Sequence, residues 1–132
     1  MEKTLVILKP DAVKRKLVGE IVSRFEKKNM DIVRMKMCVL ERSIVEEHYS
    51  HVKHLPFYSD MVTYMISGPV VLMVLEGEGV IRMVRSMMGK TSVYDSLPGT
   101  IRGDYGFHEF ENLIHASDSP ENAEIEIKRF FA

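Results

Sequence analysis

The chain has 132 residues, of which 45% are hydrophobic and 28% are charged, and its 18 basic residues nearly balance its 19 acidic residues. A chain of this length predicts one domain, residues 1–132, that buries about two-thirds of its unfolded surface. The balanced charge excludes a global field that attracts nucleic acid or an acidic membrane, so we expect neither as a partner and expect any anion site to be local.

The first elements predict a β-α-β unit. Thr4 to Lys9 predicts a buried strand that stops before Pro10, so Lys9 lies at the end of the strand. The apolar part of this strand is too short for a signal-peptide core or a membrane span, so we expect a cytoplasmic protein. Val18 to Asn29 has helical apolar spacing, and Asp31 to Leu40 alternates like a half-buried strand. The apolar face of that strand consists of Val33, Met35, Met37 and Val39.

The middle of the chain predicts a helical hairpin, a strand and another helix. Ser43 opens S-I-V-E, a capping box that begins a short helix, and Asp60 to Ile66 forms one or two further turns. Val70 to Leu75 is continuously apolar and predicts a central strand. Val80 to Met88 returns to helical spacing and ends at Gly89.

The last third begins with a segment, residues 89–112, that has no regular period. A loop of this length in a compact domain is usually functional or disordered, and its aromatics, glycines and charges favour function. Leu113 and Ile114 predict a short buried strand that ends at His115, and Ser119-Pro120 begins a final helix. This element order allows either a parallel α/β sheet or a split β-α-β fold.

The candidate chemistry centres on His115, which can act as a nucleophile, a base or a metal ligand. Taken alone, a histidine in this position is more often a hydrogen-bonded core residue, but Asn112, Ser117 and Asp118 lie close to His115 in the sequence. The final helix can fold Glu126 back against the imidazole, which would fix its tautomer. Lys9, Arg85 and Arg102 lie near the ends of elements, where they are either phosphate ligands or ordinary surface charges.

Two other patterns have weaker functional interpretations. Gly89-Lys90-Thr91 does not form a P-loop, because Val84 stands where that motif needs glycine and the pattern follows a helix. His48, His51 and His54 recur every three residues, as helical metal ligands do. No cysteine or carboxylate cage accompanies them, so we interpret them as exposed helix histidines and predict no protein metal site.

The chain closely resembles the nucleoside diphosphate kinases. The resemblance lies in T-L-V-I-L-K-P-D-A from Thr4, in P-G-T-I-R-G-D from Pro98 and in N-L-I-H-A-S-D-S from Asn112, and it extends over nearly the whole sequence. It implies an α+β, ferredoxin-like βαββαβ fold, in which helices cover a four-stranded antiparallel sheet.

The resemblance also implies a two-step reaction. His115 would take the γ-phosphoryl of a nucleoside triphosphate, typically ATP, as a phosphohistidine and then give it to a nucleoside diphosphate. Mg²⁺ would be the cofactor, bridging the phosphates themselves, and the protein would be a homo-oligomer, a hexamer in preference to a tetramer. The family's other site positions correspond to Lys9, Tyr49, Phe57, Arg85, Thr91, Arg102, Asn112, Ser117 and Glu126.

Within that resemblance, Arg85, Thr91 and Arg102 would bind phosphates, and Lys9 and Asn112 would lie toward the sugar hydroxyls and phosphates. Tyr49 would approach the transferred phosphoryl, and Phe57 would stack on the base. Ser117 and Glu126 would orient the imidazole. The chain departs from the common family pattern at four positions, none of them a catalytic group: Ala12, Leu55, Glu111 and Ala116.

Two other functional classes remain open on the residues alone. An RNA-recognition domain shares the ferredoxin-like sheet but needs aromatic residues on its strands, and the predicted strands contain none. A histidine phosphatase would also form a phosphohistidine but would pass the phosphoryl group to water. The fate of phosphate from labelled ATP separates the phosphatase from the kinase.

Overall fold

The computed structural model describes all 132 residues and has a four-stranded antiparallel sheet in the order β2-β3-β1-β4. The strands are β1 (Glu2–Leu8), β2 (Asp31–Cys38), β3 (Val70–Gly77) and β4 (Ile114–Ala116). In the centre, β1 pairs with β3 along its whole length. On its other side β1 pairs with β4, and Ile7 lies opposite His115. The predicted ferredoxin-like sheet is therefore confirmed.

Seven α-helices and one 3₁₀ helix connect and cover the strands. The α-helices are α1 (Pro10–Lys14), α2 (Val18–Lys27), α3 (Arg42–His48), α4 (Tyr58–Met65), α5 (Val80–Met88), α6 (Ile101–Tyr105) and α7 (Pro120–Phe130). The 3₁₀ helix is Ser50–Val52. None of the helices is both long enough and apolar enough to cross a lipid bilayer.

Helices cover both faces of the central strands, and this explains why β1 and β3 are apolar without alternation. On β1, Val6 and Leu8 belong to a core of 18 buried residues with α2 and α5. Leu5 and Ile7 belong to a second core of 10 buried residues, which α3, α4 and α7 complete. Since successive strand side chains point to opposite faces, burial of both faces requires a continuous apolar run.

Several predicted boundaries agree with the structure. Helix α5 spans the predicted residues and stops at Gly89, whose φ of 94° is readily adopted only by glycine. Ser119 caps α7, because its side chain accepts a hydrogen bond from the backbone N–H of Asn122. Helix α2 ends at Lys27, two residues before the predicted Asn29, which has a left-handed φ of 66°.

The prediction that β2 buries its apolar face was wrong for this chain. The residues of the predicted apolar face are substantially exposed: Val33 42%, Met35 48%, Met37 58% and, just beyond the end of β2, Val39 59%. Met35 and Met37 pair with Met73 and Val71 of β3, which lie in the larger core. β2 is one of the two edge strands, however, and its main packing partner is β3, so its apolar face lies at the open margin of the sheet.

Two further predictions were wrong in detail. Helix α3 begins one residue earlier than Ser43 and has Glu41 at its N-cap without a side-chain hydrogen bond, so the capping box does not form. The segment 89–112 contains α6, a five-residue helix too short to produce a detectable period. Thr100 caps α6 by accepting from the N–H of Gly103, 3.0 Å away.

Candidate active site

All nine predicted catalytic and substrate-binding residues line one cleft of about 750 Å³. They come from the end of β1, from α3 to α5, from the segment 89–112, and from β4 and α7. They are Lys9, Tyr49, Phe57, Arg85, Thr91, Arg102, Asn112, His115 and Glu126. Residues far apart in the sequence therefore meet because the ends of several elements converge at this position.

His115 presents its imidazole to the cleft from the middle of β4, rather than from the end of the strand as predicted. The neighbouring Ile114 and Ala116 are buried, whereas 23% of the His115 side chain is exposed. A tight turn at Leu113 precedes the strand, and the φ of Leu113 is 78°. The N–H of Ile114 donates across this turn to the carbonyl of Asn112 at 2.9 Å. Such a conformation in a non-glycine residue costs on the order of 1–3 kcal/mol and recurs at functional sites.

Glu126 determines which imidazole nitrogen of His115 carries a proton. His115 Nε2 lies 3.2 and 3.3 Å from the two carboxylate oxygens of Glu126. A carboxylate only accepts, so Nε2 carries the proton and the Nδ1 lone pair is left available. Ser117 Oγ donates to Glu126 at 2.6 Å and itself accepts from the N–H of Leu5 at 3.1 Å, which connects the carboxylate to the central strand.

The pKa of Glu126 lies below its ordinary value. Burial favours the neutral acid, but the hydrogen bond and charge of His115 outweigh burial, and the hydrogen bond from Ser117 adds to them. Glu126 is therefore a carboxylate at neutral pH and can stabilise positive charge on the imidazole.

The next part of the cleft has two buried cations. Lys9 follows β1 and donates from Nζ to Asn112 Oδ1 at 2.6 Å. Arg102 donates to the carbonyls of Lys90, Asn112 and Ile114 at 3.0, 3.3 and 2.6 Å. These contacts use three of the five guanidinium N–H groups and hold the side chain rigidly. Both cations are under 10% exposed, so they are not the ordinary surface charges that the sequence left open.

Burial changes the protonation of these two cations. It lowers the pKa of Lys9 to about 7, with the charge of Arg102 contributing. It lowers the pKa of Arg102 to about 10, with the charge of Arg85 contributing, so Arg102 stays cationic at neutral pH. An anion in the cleft would relieve both effects, because it would supply the missing opposite charge.

Arg85 and Thr91 are exposed and stand at the mouth of the cleft. Arg85 projects from the last turn of α5 and donates to the carbonyl of Ala116 at 3.2 Å. Thr91 follows Gly89, at which the chain turns away from the helix. Both side chains therefore border the cleft, and Arg85 contacts β4.

Aromatic residues form another wall. Phe57 is half-buried, and its ring centroid lies 5.6 Å from that of Phe110 with a tilt of 40°. Tyr49 is buried, and burial raises the pKa of its phenol. Sequence reasoning missed Phe110, because a residue in a segment without a period has no signal for its position.

The interpretation of His48 as an exposed helix histidine was wrong, because this residue is only 5% exposed. Its ring packs perpendicular to that of His115, with a centroid distance of 4.7 Å and an interplanar angle of 89°. Helical spacing could have found it, because Val45, His48 and Tyr49 occupy positions i, i+3 and i+4. His51 and His54 are exposed, as predicted.

His48, His115 and Glu126 place nitrogen and oxygen atoms within 4.8 Å of one another, the one grouping of this kind. Each already has a hydrogen-bonding partner. Arg129 Nη1 lies 3.1 Å from His48 Nδ1, and Glu126 accepts from His115 and Ser117. A guanidinium at one potential ligand opposes a metal cation at that position.

The cleft thus combines an oriented histidine, buried cations and an aromatic wall, and the whole chain matches proteins with one established chemistry. The family model for nucleoside diphosphate kinase matches residues 2–132. The chain belongs to the nucleoside diphosphate kinase family. It is accordingly a phosphotransferase that moves the γ-phosphoryl of a nucleoside triphosphate to a nucleoside diphosphate.

Individual kinases of this family match the chain over nearly its full length. The nucleoside diphosphate kinase of Acetivibrio thermocellus is 70% identical over 131 residues, which cover 99% of this chain and 96% of that protein. The kinase from Encephalitozoon cuniculi, solved without ligand, has a TM-score of 0.96 at 44% identity and covers 98% of this chain and 88% of that one. The halophilic kinase from Halobacterium salinarum, solved in complex with CDP, has the same TM-score and identity, with coverages of 98% and 87%.

Proposed function

We propose that His115 is the phosphoryl carrier of this kinase. The supporting observation is its hydrogen bond to Glu126 through Nε2, which leaves Nδ1 as the nucleophile in a cleft that also contains Lys9 and Arg102. In the first half-reaction, the Nδ1 lone pair forms the N–P bond while the bond between the γ-phosphorus and the β,γ-bridging oxygen breaks. The nucleoside diphosphate leaves with that electron pair. The second half-reaction reverses these steps with a different diphosphate.

The remaining residues have roles that follow from their charge and position. Arg85, Thr91 and Arg102 would bind phosphate oxygens, for which guanidinium groups provide paired donors. Lys9 and Asn112, already bonded to each other, would bind the sugar hydroxyls and the phosphates.

The aromatic residues would bind the other ends of the substrate. Phe57 would stack on the base, with Phe110 adjacent to it. Tyr49, which lies in the same helical segment as His48, would contact the transferred phosphoryl. The Halobacterium salinarum relative was solved in complex with CDP, which supports nucleotide binding by this chain.

Magnesium fits this cleft as a partner of the nucleotide. Mg²⁺ prefers oxygen ligands and retains several waters, whereas buried Lys9 and Arg102 offer only nitrogen and Glu126 is hydrogen-bonded to His115 and Ser117. When bound, the ion would neutralise charge on the β- and γ-phosphates. The phosphates themselves would hold it, and these protein side chains would bind the remaining phosphate oxygens.

Labelled ATP tests the assignment. Incubation with γ-labelled ATP and Mg²⁺ should label the protein through an acid-labile bond, and a nucleoside diphosphate should remove the label as a triphosphate. His115→Asn should abolish labelling but retain ADP binding, because only the nucleophile is lost. Release of the label to water at the same rate without a diphosphate would instead identify a phosphatase. Labelling of His115→Asn at the wild-type rate would exclude His115 as the carrier.

We also propose a homo-oligomer, with a hexamer preferred to a tetramer. The support is the apolar face of β2, whose residues Val33, Met35 and Met37 are 42% to 58% exposed at the sheet edge, where a second copy can cover them. Sedimentation at micromolar concentration tests this assembly. Met35→Glu should shift the protein to smaller species, since it places charge in the covered face. A wild-type monomer would contradict the proposal.

Two broader assignments accompany this function. Residues 1–132 would form one nucleoside diphosphate kinase domain, which the match over residues 2–132 supports. A single unfolding transition in the purified protein, with coincident spectroscopic and calorimetric curves, would be expected for one unit. A cytoplasmic location is the corresponding expectation for a kinase of free nucleotides, and cell fractionation tests it.

A further inference from the structure

His48 lies directly behind His115 and has no role in the reaction described so far. Its ring is surrounded by three others: His115 at 4.7 Å, Tyr49 at 4.7 Å and Phe130 at 5.1 Å between centroids, all in edge or T-shaped contact. A hydrocarbon ring would fill such a position without burying polar nitrogens. The presence of an imidazole therefore requires a polar partner.

That partner is Arg129 on α7. Its Nη1 lies 3.1 Å from His48 Nδ1, and its Nε lies 3.8 Å from the carboxylate of Glu47 on α3. A guanidinium only donates, so Nδ1 of His48 accepts and the proton of the neutral ring is on Nε2. This contact joins α3 to α7 and holds His48 in one tautomer.

His48 remains neutral at physiological pH. Burial lowers its pKa to about 3, and the charges of His115 and Arg129 act in the same direction against the opposing charge of Glu126. Its accepting nitrogen is occupied by Arg129, so it is not a free base for His115. Its contribution to His115 must then come through packing.

His115 needs such a contact because its hydrogen bond to Glu126 does not fully determine the plane of the ring. The torsion about the bond from Cβ to the imidazole has broad energy wells. A ring that pivots about the Nε2 contact moves Nδ1, the attacking atom. The edge of His48 packs at 89° to this plane and opposes that rotation.

We propose that His48, held by Arg129, is a positioning residue that fixes the plane of the His115 imidazole for phosphoryl transfer. The inference rests on the proposed role of His115 as the phosphoryl carrier. A displacement of about 1 Å at a reacting atom lowers a rate by about a hundredfold. We therefore expect loss of the His48 ring to slow phosphorylation of His115 about 10- to 100-fold without weakening nucleotide binding.

The decisive comparison uses His48→Ala and the double variant His48→Phe/Arg129→Leu. The alanine variant removes the ring, whereas the double variant restores a ring of similar width and avoids leaving a guanidinium without its partner. His54→Ala is the matched control, because His54 is an exposed histidine of the same region outside the cleft. Single-turnover labelling at saturating ATP measures the phosphorylation rate, and calorimetry with ADP measures binding.

We expect His48→Ala to show the 10- to 100-fold loss and the double variant to recover to within about fivefold of wild type. All variants should bind ADP within about threefold of wild type. Labelling by His48→Ala within twofold of wild type, or a double variant as slow as His48→Ala, overturns the proposal. If wild type itself forms no phosphohistidine, the proposed carrier role fails instead, so the two failures are distinguishable.

A measurement on the unaltered protein covers the case in which the alanine variant does not fold. Imidazole ¹⁵N spectra should show His48 as the neutral Nε2–H tautomer, with constant shifts from pH 5 to pH 8. They should change in Arg129→Leu, because the hydrogen bond at Nδ1 is lost. A His48 that titrates in this range, or one whose spectrum does not respond to Arg129→Leu, overturns the proposed arrangement.

Discussion

Replacing Glu126 by glutamine tests how strongly the carboxylate supports the reaction. In the native site, Glu126 accepts from His115 Nε2 at 3.2 and 3.3 Å and from Ser117 Oγ at 2.6 Å. Glutamine has nearly the same shape and can still accept from His115 through its carbonyl oxygen. Its amide can donate to Ser117 Oγ, which is able to accept. The substitution therefore removes mainly the negative charge.

The lost charge matters most in the transition state, where attack by Nδ1 places positive charge on the imidazole of His115. A hydrogen bond to a charged group contributes about 1.5–3 kcal/mol. At about 1.4 kcal/mol for each tenfold change in rate, its loss slows phosphorylation roughly 10- to 150-fold. ADP binding should change little, because the carboxylate bonds to His115 and Ser117 rather than to the proposed phosphate ligands.

Rapid-quench labelling with γ-labelled ATP measures this rate in a single turnover, and calorimetry measures ADP affinity. Glu124→Gln is the matched control, since Glu124 lies on the same helix, is 72% exposed and pairs only with Lys128 at 3.3 Å. It should phosphorylate at the wild-type rate. If Glu126→Gln also reacts within threefold of wild type, the carboxylate does not assist the nucleophile and the reasoning is refuted.

Three further outcomes are expected. The pKa of Lys9 in the nucleotide-free protein is about 7, and a bound polyphosphate favours its ammonium form. ADP affinity should therefore fall as pH rises above 7, by up to about tenfold for each pH unit. Lys9→Arg should remove this dependence in calorimetry from pH 6 to pH 9, and a flat wild-type profile would contradict the assignment. Phe110→Ala should raise KM for nucleoside diphosphates about tenfold through lost stacking. Phe107→Ala, at an 86% exposed position, should leave KM unchanged, and equal KM values for the two variants would show that Phe110 does not contact the base. Gly103→Ala should lower the free energy of unfolding by about 3 kcal/mol, because an added Cβ would meet the backbone carbonyl oxygen of Leu97 at 1.8 Å. Gly19→Ala is the control, since a Cβ at that position meets open space. Thermal unfolding measures the difference, and equal stability of the two variants would contradict the expected clash.

The sequence alone determined the central framework and the nature of the chemistry. A continuous apolar run stopped by Pro10 can only be buried on both sides, and it became β1. Helical spacing that ends at Gly89 predicted α5 correctly, because periodicity and the left-handed preference of glycine act over a few residues. The ordered motifs around Lys9, Arg102 and His115 supplied the family and its fold.

The tertiary structure decided which faces are covered and which side chains meet. Alternation in β2 predicted burial, but an edge position leaves Met35 and Met37 exposed. His48, Phe110 and Arg129 reach the cleft from three separate parts of the chain. Local sequence governs backbone conformation over a few residues, whereas contacts such as that between His48 and Arg129 join positions 81 residues apart. Only the packing of α3 and α7 on the sheet brings such residues together.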